Sequence, residues 1–160
     1  MATQGSSPQD NKQIVRRLIE EGWNQGKVNV VSEVLANNCR FHDEVFPHLT
    51  QGADNFRRHI ESCRAGFPDL KFSIDDTIAE RDEVVVHWTA RGTHKGPFLG
   101  MQPTNKKATV SGTSIYRLEG SKIAEEWANW NLMSMMEQLG ISSAPQEQTS
   151  KQNVGSKAHA

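Results

Sequence analysis

Apolar positions along this chain recur first with the period of a helix and then with the period of a strand. Ile14, Val15, Leu18, Ile19 and Trp23 stand at helical spacing with Arg16, Arg17, Glu20 and Glu21 between them, which predicts a helix from an N-cap at Asp10 to Gly26. Asn29 caps a second, shorter helix with Val30, Val31, Val34 and Leu35 as inner residues, stopped by Asn37 and Asn38. Residues 40–46 then alternate, Phe41, Asp43 and Val45 opposite Arg40, His42 and Glu44, and Pro47 closes this short strand. Residues 52–65 return to helical period through Phe56, Ile60 and Cys63. Strands follow at 70–79, 83–92, 107–119 and 122–132, with Arg81-Asp82 and Gly120-Ser121 as turns short enough for antiparallel hairpins. In the first of these Phe72, Ile74 and Ile78 share a face that Asp76 interrupts, which reads as a bulge.

Helices followed by a run of strands predict an α+β domain, in which a curved antiparallel sheet needs the helices to cover one face. Such a sheet leaves a pocket at its open end. Residues 142–160 hold one valine and no larger apolar residue, too little to offset the entropy of ordering. The expected organisation is a tail at 1–8, one domain at 9–141 and a disordered tail at 142–160.

The last strand carries the most suggestive chemistry. Ile123, Glu125, Trp127, Asn129 and Asn131 fall on one face and Ala124, Glu126, Ala128, Trp130 and Leu132 on the other. Two Asn and a Trp on one face suggest the wall of a partly polar cavity; an ordinary half-buried strand whose amides meet backbone or water explains them equally well. Val85, His87, Thr89 and Arg91 likewise share a face, and an imidazole suits proton transfer near neutral pH. His42 can line the pocket from its short strand, whereas His48 and His59 read as surface residues. Trp23, Phe98, Leu99 and Met101 are candidates for cavity lining or a lid, with plain core packing the alternative.

Composition narrows the classes. At 160 residues there is room for one ordinary domain, and 18 Lys plus Arg against 19 acidic residues favour neither nucleic acid nor an anionic membrane. Cys39 and Cys63 form no CxxC pair, the N-terminus lacks an apolar signal core, and no run approaches a membrane span, so a soluble cytoplasmic protein is expected. There is no GxSxG, P-loop, HExxH or Rossmann glycine pattern. A curved sheet with Trp88 or Trp130 on its outer face would gain from self-association, as a dimer or tetramer.

The phrases AGFPDL, RGTHKGPFLGMQPTNKK, SGTSIYRLEGSKIAEEW and MEQLG, spread in order over residues 11–140, resemble the SnoaL-like polyketide cyclase or ester cyclase family. The resemblance implies the cone-shaped α+β fold shared with nuclear transport factor 2, ketosteroid isomerase and limonene epoxide hydrolase, with an internal cavity. It also implies cofactor-free ring closure of a polyketide ester by intramolecular aldol condensation, which needs a folded chain, a moved proton and a stabilised enolate. In the cyclases resembled, the acid/base is an aspartate four residues after a Trp, where this chain has Trp127 and then Asn131. An amide cannot carry that proton. Either catalysis is lost and a binding cavity kept, or another side chain serves as base, or the position carries a deliberate Asp→Asn change.

For the second case the likeness to limonene epoxide hydrolase points to His87 and Thr89, where that family sends an Arg and an Asp into its cavity. His94 resembles a recurring family position near the cavity mouth, although a turn-stabilising role fits it better. The enzyme reading therefore makes His87 the base, Asn131 and Asn129 donors to an enolate oxygen, and Trp127, Thr89, Arg91, His42, His94, Phe98 and Trp23 the contacts to a small hydrophobic carbonyl substrate, with no metal or cofactor. The other reading is a non-catalytic small-molecule-binding protein that uses the same cavity.

Overall fold

A capping box starts the first helix earlier than expected. Ser7 accepts a hydrogen bond from Asp10 N and donates its own N–H to the Asp10 carboxylate, both at 3.1 Å, so Asp10 completes the cap rather than forming it. The computed structural model describes residues 6–141; the expected tail at 142–160 and most of that at 1–8 lie outside the described residues.

Helix α1 (Pro8–Arg17) continues without interruption into a π-helical turn, Leu18–Trp23, where Asn24 N reaches back to Ile19 O at 3.0 Å. The wider turn ends with Asn24 bonded through its amide to the Phe72 backbone, at 2.9 and 2.7 Å, which stitches the helix to the sheet. Gly26, at φ 66°, lets the chain reverse into α2 (Asn29–Val34). Strand β1 (Leu35–Asp43) begins where the second helix was expected to end: Leu35 is already extended at ψ 142°, and Asn37 and Asn38 lie inside the strand. Then follow α3 (Ala53–Gly66), β2 (Lys71–Glu80), β3 (Glu83–Thr93), β4 (Lys107–Glu119), β5 (Lys122–Trp130) and α4 (Leu132–Gln138).

The five strands form one mixed, curled, unclosed sheet in the order β1-β5-β4-β3-β2, with β1 parallel to β5 and every other pair antiparallel. Helices α1, α2 and α3 cover its inner face. Two bulges break the simple alternation. An extra residue at Asp75 moves Ile78 to the outer face, where it is 62% exposed instead of sharing a face with Phe72. Another at Ala124 puts Ile123 on the inner face against Leu118 while Glu125 points outward opposite Arg117.

The inner face changes character along the strands. At one end Val84, Val86, Leu118 and Ile123 pack against Leu18, Val31 and Ile60 in a solid aliphatic core. Toward the other end the same strands offer Trp88, Ala90, Ser114, Tyr116, Glu126, Ala128 and Trp130 to open space. Trp88 and Trp130, expected outside, are thus inside. Among the described residues no helix is long and apolar enough to cross a membrane, and Cys39 and Cys63 are buried free thiols.

Candidate active site

The space bounded by the curled sheet and α3 holds about 980 Å³ of non-atom volume, including its open mouth. Aromatic rings make most of the wall. Trp23 meets Phe56 and His59 edge-on at 5.8 and 5.6 Å, Phe41 stacks on Phe56 at 4.7 Å, and Phe72 meets Trp88 at 5.1 Å. Phe98 is buried against Phe67 and Phe46, at 5.1 and 5.9 Å between ring centres. Trp23 and Phe98 are therefore where the sequence placed them, in the lining.

Polar groups enter this wall in two adjacent rows across the sheet. One row runs Phe41, Glu126, Tyr116 over β1, β5 and β4, and the next runs Asp43, Ala128, Ser114. Register alone therefore places the two carboxyls diagonally on neighbouring parallel strands, both facing inward. Small residues make the room: Ala128 separates Asp43 from Ser114, and Gly112 lies under Trp88, whose ring would be 2.3 Å from a Cβ there. The Trp88 indole N–H donates to Ser114 Oγ at 3.1 Å.

Burial drives the electrostatics. Desolvation pushes the Glu126 carboxyl up to about 8, the charge of Asp43 adds to this, and the nearby Tyr116 and Ser114 hydroxyls offset only part of it. Desolvation also raises Asp43, but Val45 N donates to it at 2.8 Å and Trp130 Nε1 at 3.3 Å, so its anion is the better solvated of the two. Among the described residues neither carboxyl forms an ion pair with a cation. His59 lines the cavity instead of the surface and is held neutral by burial, its pKa lowered to about 4. Its ring nitrogens lie 3.8 and 3.9 Å from Cys63 Sγ, but burial raises that thiol to about 12, so the pair is not a thiolate and an imidazolium. The environment therefore favours the neutral form of Glu126 more strongly than that of Asp43, in a wall of otherwise neutral groups.

The remaining expected site residues lie elsewhere. His87, Thr89, Trp127 and Asn129 are on the outer face of the sheet; His87 is exposed and Thr89 donates to Asp75 at 2.6 Å. His42 borders the cavity through its backbone neighbours, but its ring stacks on Trp127 at 5.2 Å and its Nε2 sits 2.8 Å from Glu125 on the outer side. Arg91 borders the cavity with an exposed side chain. Asn131 is an exposed helix cap whose amide oxygen accepts from Ser134 N at 2.9 Å. His94 is fully buried in the connection before β4, stacked on Phe67 at 5.2 Å, with Nδ1 beside Thr104 and Nε2 without a partner. The groups the spacing analysis passed over, Glu126 and His59, each left a trace: Glu126 is an acid between two alanines in a strand, and His59 falls on the stripe of Phe56, Ile60 and Cys63 at i+3.

Among the described residues no group of three or more His, Cys, Asp or Glu side chains is arranged to hold a metal ion.

No curated protein matches the chain. Solved structures do. TsrD from Streptomyces laurentii superposes with a TM-score of 0.78 at 23% identity, covering 86% of this chain and 99% of that one. A protein of Jannaschia sp. described as a SnoaL-like polyketide cyclase gives 0.74 at 27% identity over 89% and 100%. AclR of Streptomyces galilaeus, described as a hydroxylase, gives 0.73 at 22% identity over 88% and 87%. The family model of the SnoaL-like polyketide cyclases matches residues 13–139, nearly the whole described fold, and the chain belongs to that family.

Proposed function

We propose that the cavity carries out cofactor-free acid–base chemistry on a small apolar carbonyl compound of polyketide type, with Asp43 as the proton acceptor and Glu126 as the hydrogen-bond and proton donor. The observation that supports this most is the pair itself: two inward carboxyls on adjacent strands, in an aromatic cavity, with no cation beside either. Like charges in a dry site do not both ionise readily, so the pair holds one proton where one is needed. Asp43, with donors from Val45 and Trp130, takes a proton from the carbon next to a carbonyl. Glu126, still protonated near pH 7, donates to the oxygen on which negative charge develops. Apolar rings hold the substrate folded and keep water from competing.

This assignment moves the base from His87 to Asp43. In turnover of a polyketide ester, Asp43→Asn and Glu126→Gln should each lower kcat by about 10²–10⁴-fold, the range for general acid–base groups. His87→Ala should leave it unchanged; the reverse pattern restores His87 as the base.

A binding role without turnover is the second reading, favoured by Asn131 serving as a helix cap where the family's acid is expected. It predicts saturable ligand binding with no product detectable by mass spectrometry after prolonged incubation.

A further inference from the structure

The charge balance of the cavity wall restricts what can enter it, whether or not turnover follows. Both carboxyls of the wall lack a protein cation. Glu126 is only 8% exposed; the Tyr116 and Ser114 hydroxyls donate to its carboxyl, but no cation of the described fold pairs with it. The nitrogen groups nearby form no ion pair with either carboxyl: His59 is neutral, His42 is engaged with Glu125 outside, Arg91 borders the cavity with an exposed side chain, and no lysine lines the wall. Aromatic rings stand beside Asp43. Trp130 binds Asp43 Oδ2 through Nε1, and Phe46 lies nearly parallel to Trp130 at 6.1 Å and 27°. Carboxyls without a cation partner, set in a wall of aromatic rings, are complementary to a cation on an apolar body, whereas an anionic ligand adds like charge.

We propose that the cavity binds apolar primary amines as their ammonium ions, held between the carboxyls of Asp43 and Glu126 and against the rings of Trp130 and Phe46. Because an ammonium group beside Glu126 favours its carboxylate, the Glu126 proton leaves to solvent as the cation enters: one ammonium in, one proton out, charge conserved. Other groups facing the dyad do not titrate in this window. Burial holds Tyr116 well above its ordinary value, Cys39 and Cys63 at about 12 and His59 at about 4. Proton release should therefore belong to Glu126. The proposal shares its dyad with the proposed function but needs no chemistry.

The test is calorimetric titration of the full chain with 2-phenylethylamine, its neutral counterpart 2-phenylethanol and the anion 3-phenylpropionate, in two buffers of different ionisation enthalpy. At pH 7 the amine should bind at least about tenfold tighter than the alcohol, the anion should not saturate, and release should approach one proton. At pH 5 that alcohol–amine difference should shrink, because the proton that the ammonium must displace from Glu126 is harder to release at lower pH. Glu126→Gln and Asp43→Asn, checked by near-ultraviolet circular dichroism, should each reduce the preference. Equal affinity for amine and alcohol, no proton exchange, or a preference that persists in both variants overturns the proposal. Ester turnover read in the same variants keeps the two claims apart: loss of turnover in Asp43→Asn without any amine preference sinks the amine site alone, and an amine preference without dyad-dependent turnover sinks the catalytic reading alone.

Discussion

Glu125 and Glu126 are neighbours in the chain, 7% and 8% exposed, and the fold gives them opposite chemistry. Glu125 lies on the outer face beneath a thin layer of nitrogen-bearing side chains: Arg40 at 3.0 Å, His42 at 2.8 Å and Arg117 at 3.2 Å. Burial works against its charge, but His42, Arg117 and Arg40 outweigh that and hold its carboxyl below the usual range. Glu126 lies under the whole domain with no cation, and desolvation pushes it to about 8. Solvent accessibility alone does not distinguish the two. Depth and partners do, because a carboxylate's charge is stabilised by donors and nearby cations and penalised by the bulk of low-dielectric material around it. The outer face pairs its charges and stabilises; the inner face leaves them unpaired and available.

The largest effect that separates the two faces is on turnover. Glu126→Gln should cost about 10²–10⁴-fold in kcat while Glu125→Gln leaves kcat within about twofold, measured on the same polyketide ester. Glu125→Gln should instead lower stability slightly, by about 1 kcal/mol or less and less still in high salt, since Arg40 and His42 are largely solvent-exposed.

The next largest concerns pH. Between the ordinary glutamate value of 4.5 and about 8, folded Glu126 holds a proton that the unfolded chain has lost. Its contribution to stability is therefore fully present below pH 4.5 and is lost as pH rises from there through about 8, by up to roughly 5 kcal/mol. Chemical denaturation of Glu126→Gln across pH 5 to 9 should show a flatter profile than wild type and a gain at the alkaline end. Identical profiles would mean that Glu126 is ionised in the folded protein.

Self-association probes the outer face itself. Trp127, Ile115 and Val85 are half-buried there and Ile78 is exposed, so we propose that these residues, rather than Trp88 and Trp130, contact a second copy. Light scattering at micromolar concentration should give a dimer that Trp127→Ala weakens by tenfold or more; a monomeric wild type ends the proposal.

Of all these effects, that of Asn131→Asp should be the smallest. Asn131→Ala should cost about 1 kcal/mol through the lost cap, and Asn131→Asp, which keeps an acceptor for Ser134 N, should leave stability and turnover nearly unchanged. A sharp rise in turnover with Asp would return the proton carrier to this position.

The helices and most strand limits were legible because their apolar stripes bury against one another: Val15, Leu18, Ile60 and Cys63 follow helical spacing and are buried. The start of β1 was not, since Leu35 is a core residue under either assignment and Asn37 and Asn38 carry no strand preference. The site was misread for a physical reason. Period two separates two faces but does not say which is inside, and the usual cue, large apolar residues inward, is muted where the inner face borders a cavity and carries Glu126, Ala128 and Ser114. The outer face of β5, with Trp127 and Asn129, therefore looked like a cavity wall. Bulges at Asp75 and Ala124 shift the alternation by one residue; the first is marked in the sequence by the polar interruption next to it at Asp76, and the second leaves no such mark. The family's phrases carried the fold over this ambiguity, while the inward carboxyls emerged only from the strand register.

The most direct test of the inward dyad is the side-chain carboxyl carbon resonance of Glu126, assigned by its loss in Glu126→Gln and followed with pH. The account predicts a midpoint near pH 8 that falls when Asp43 is replaced by Asn. A midpoint between pH 4 and 5, unmoved by that substitution, would contradict it.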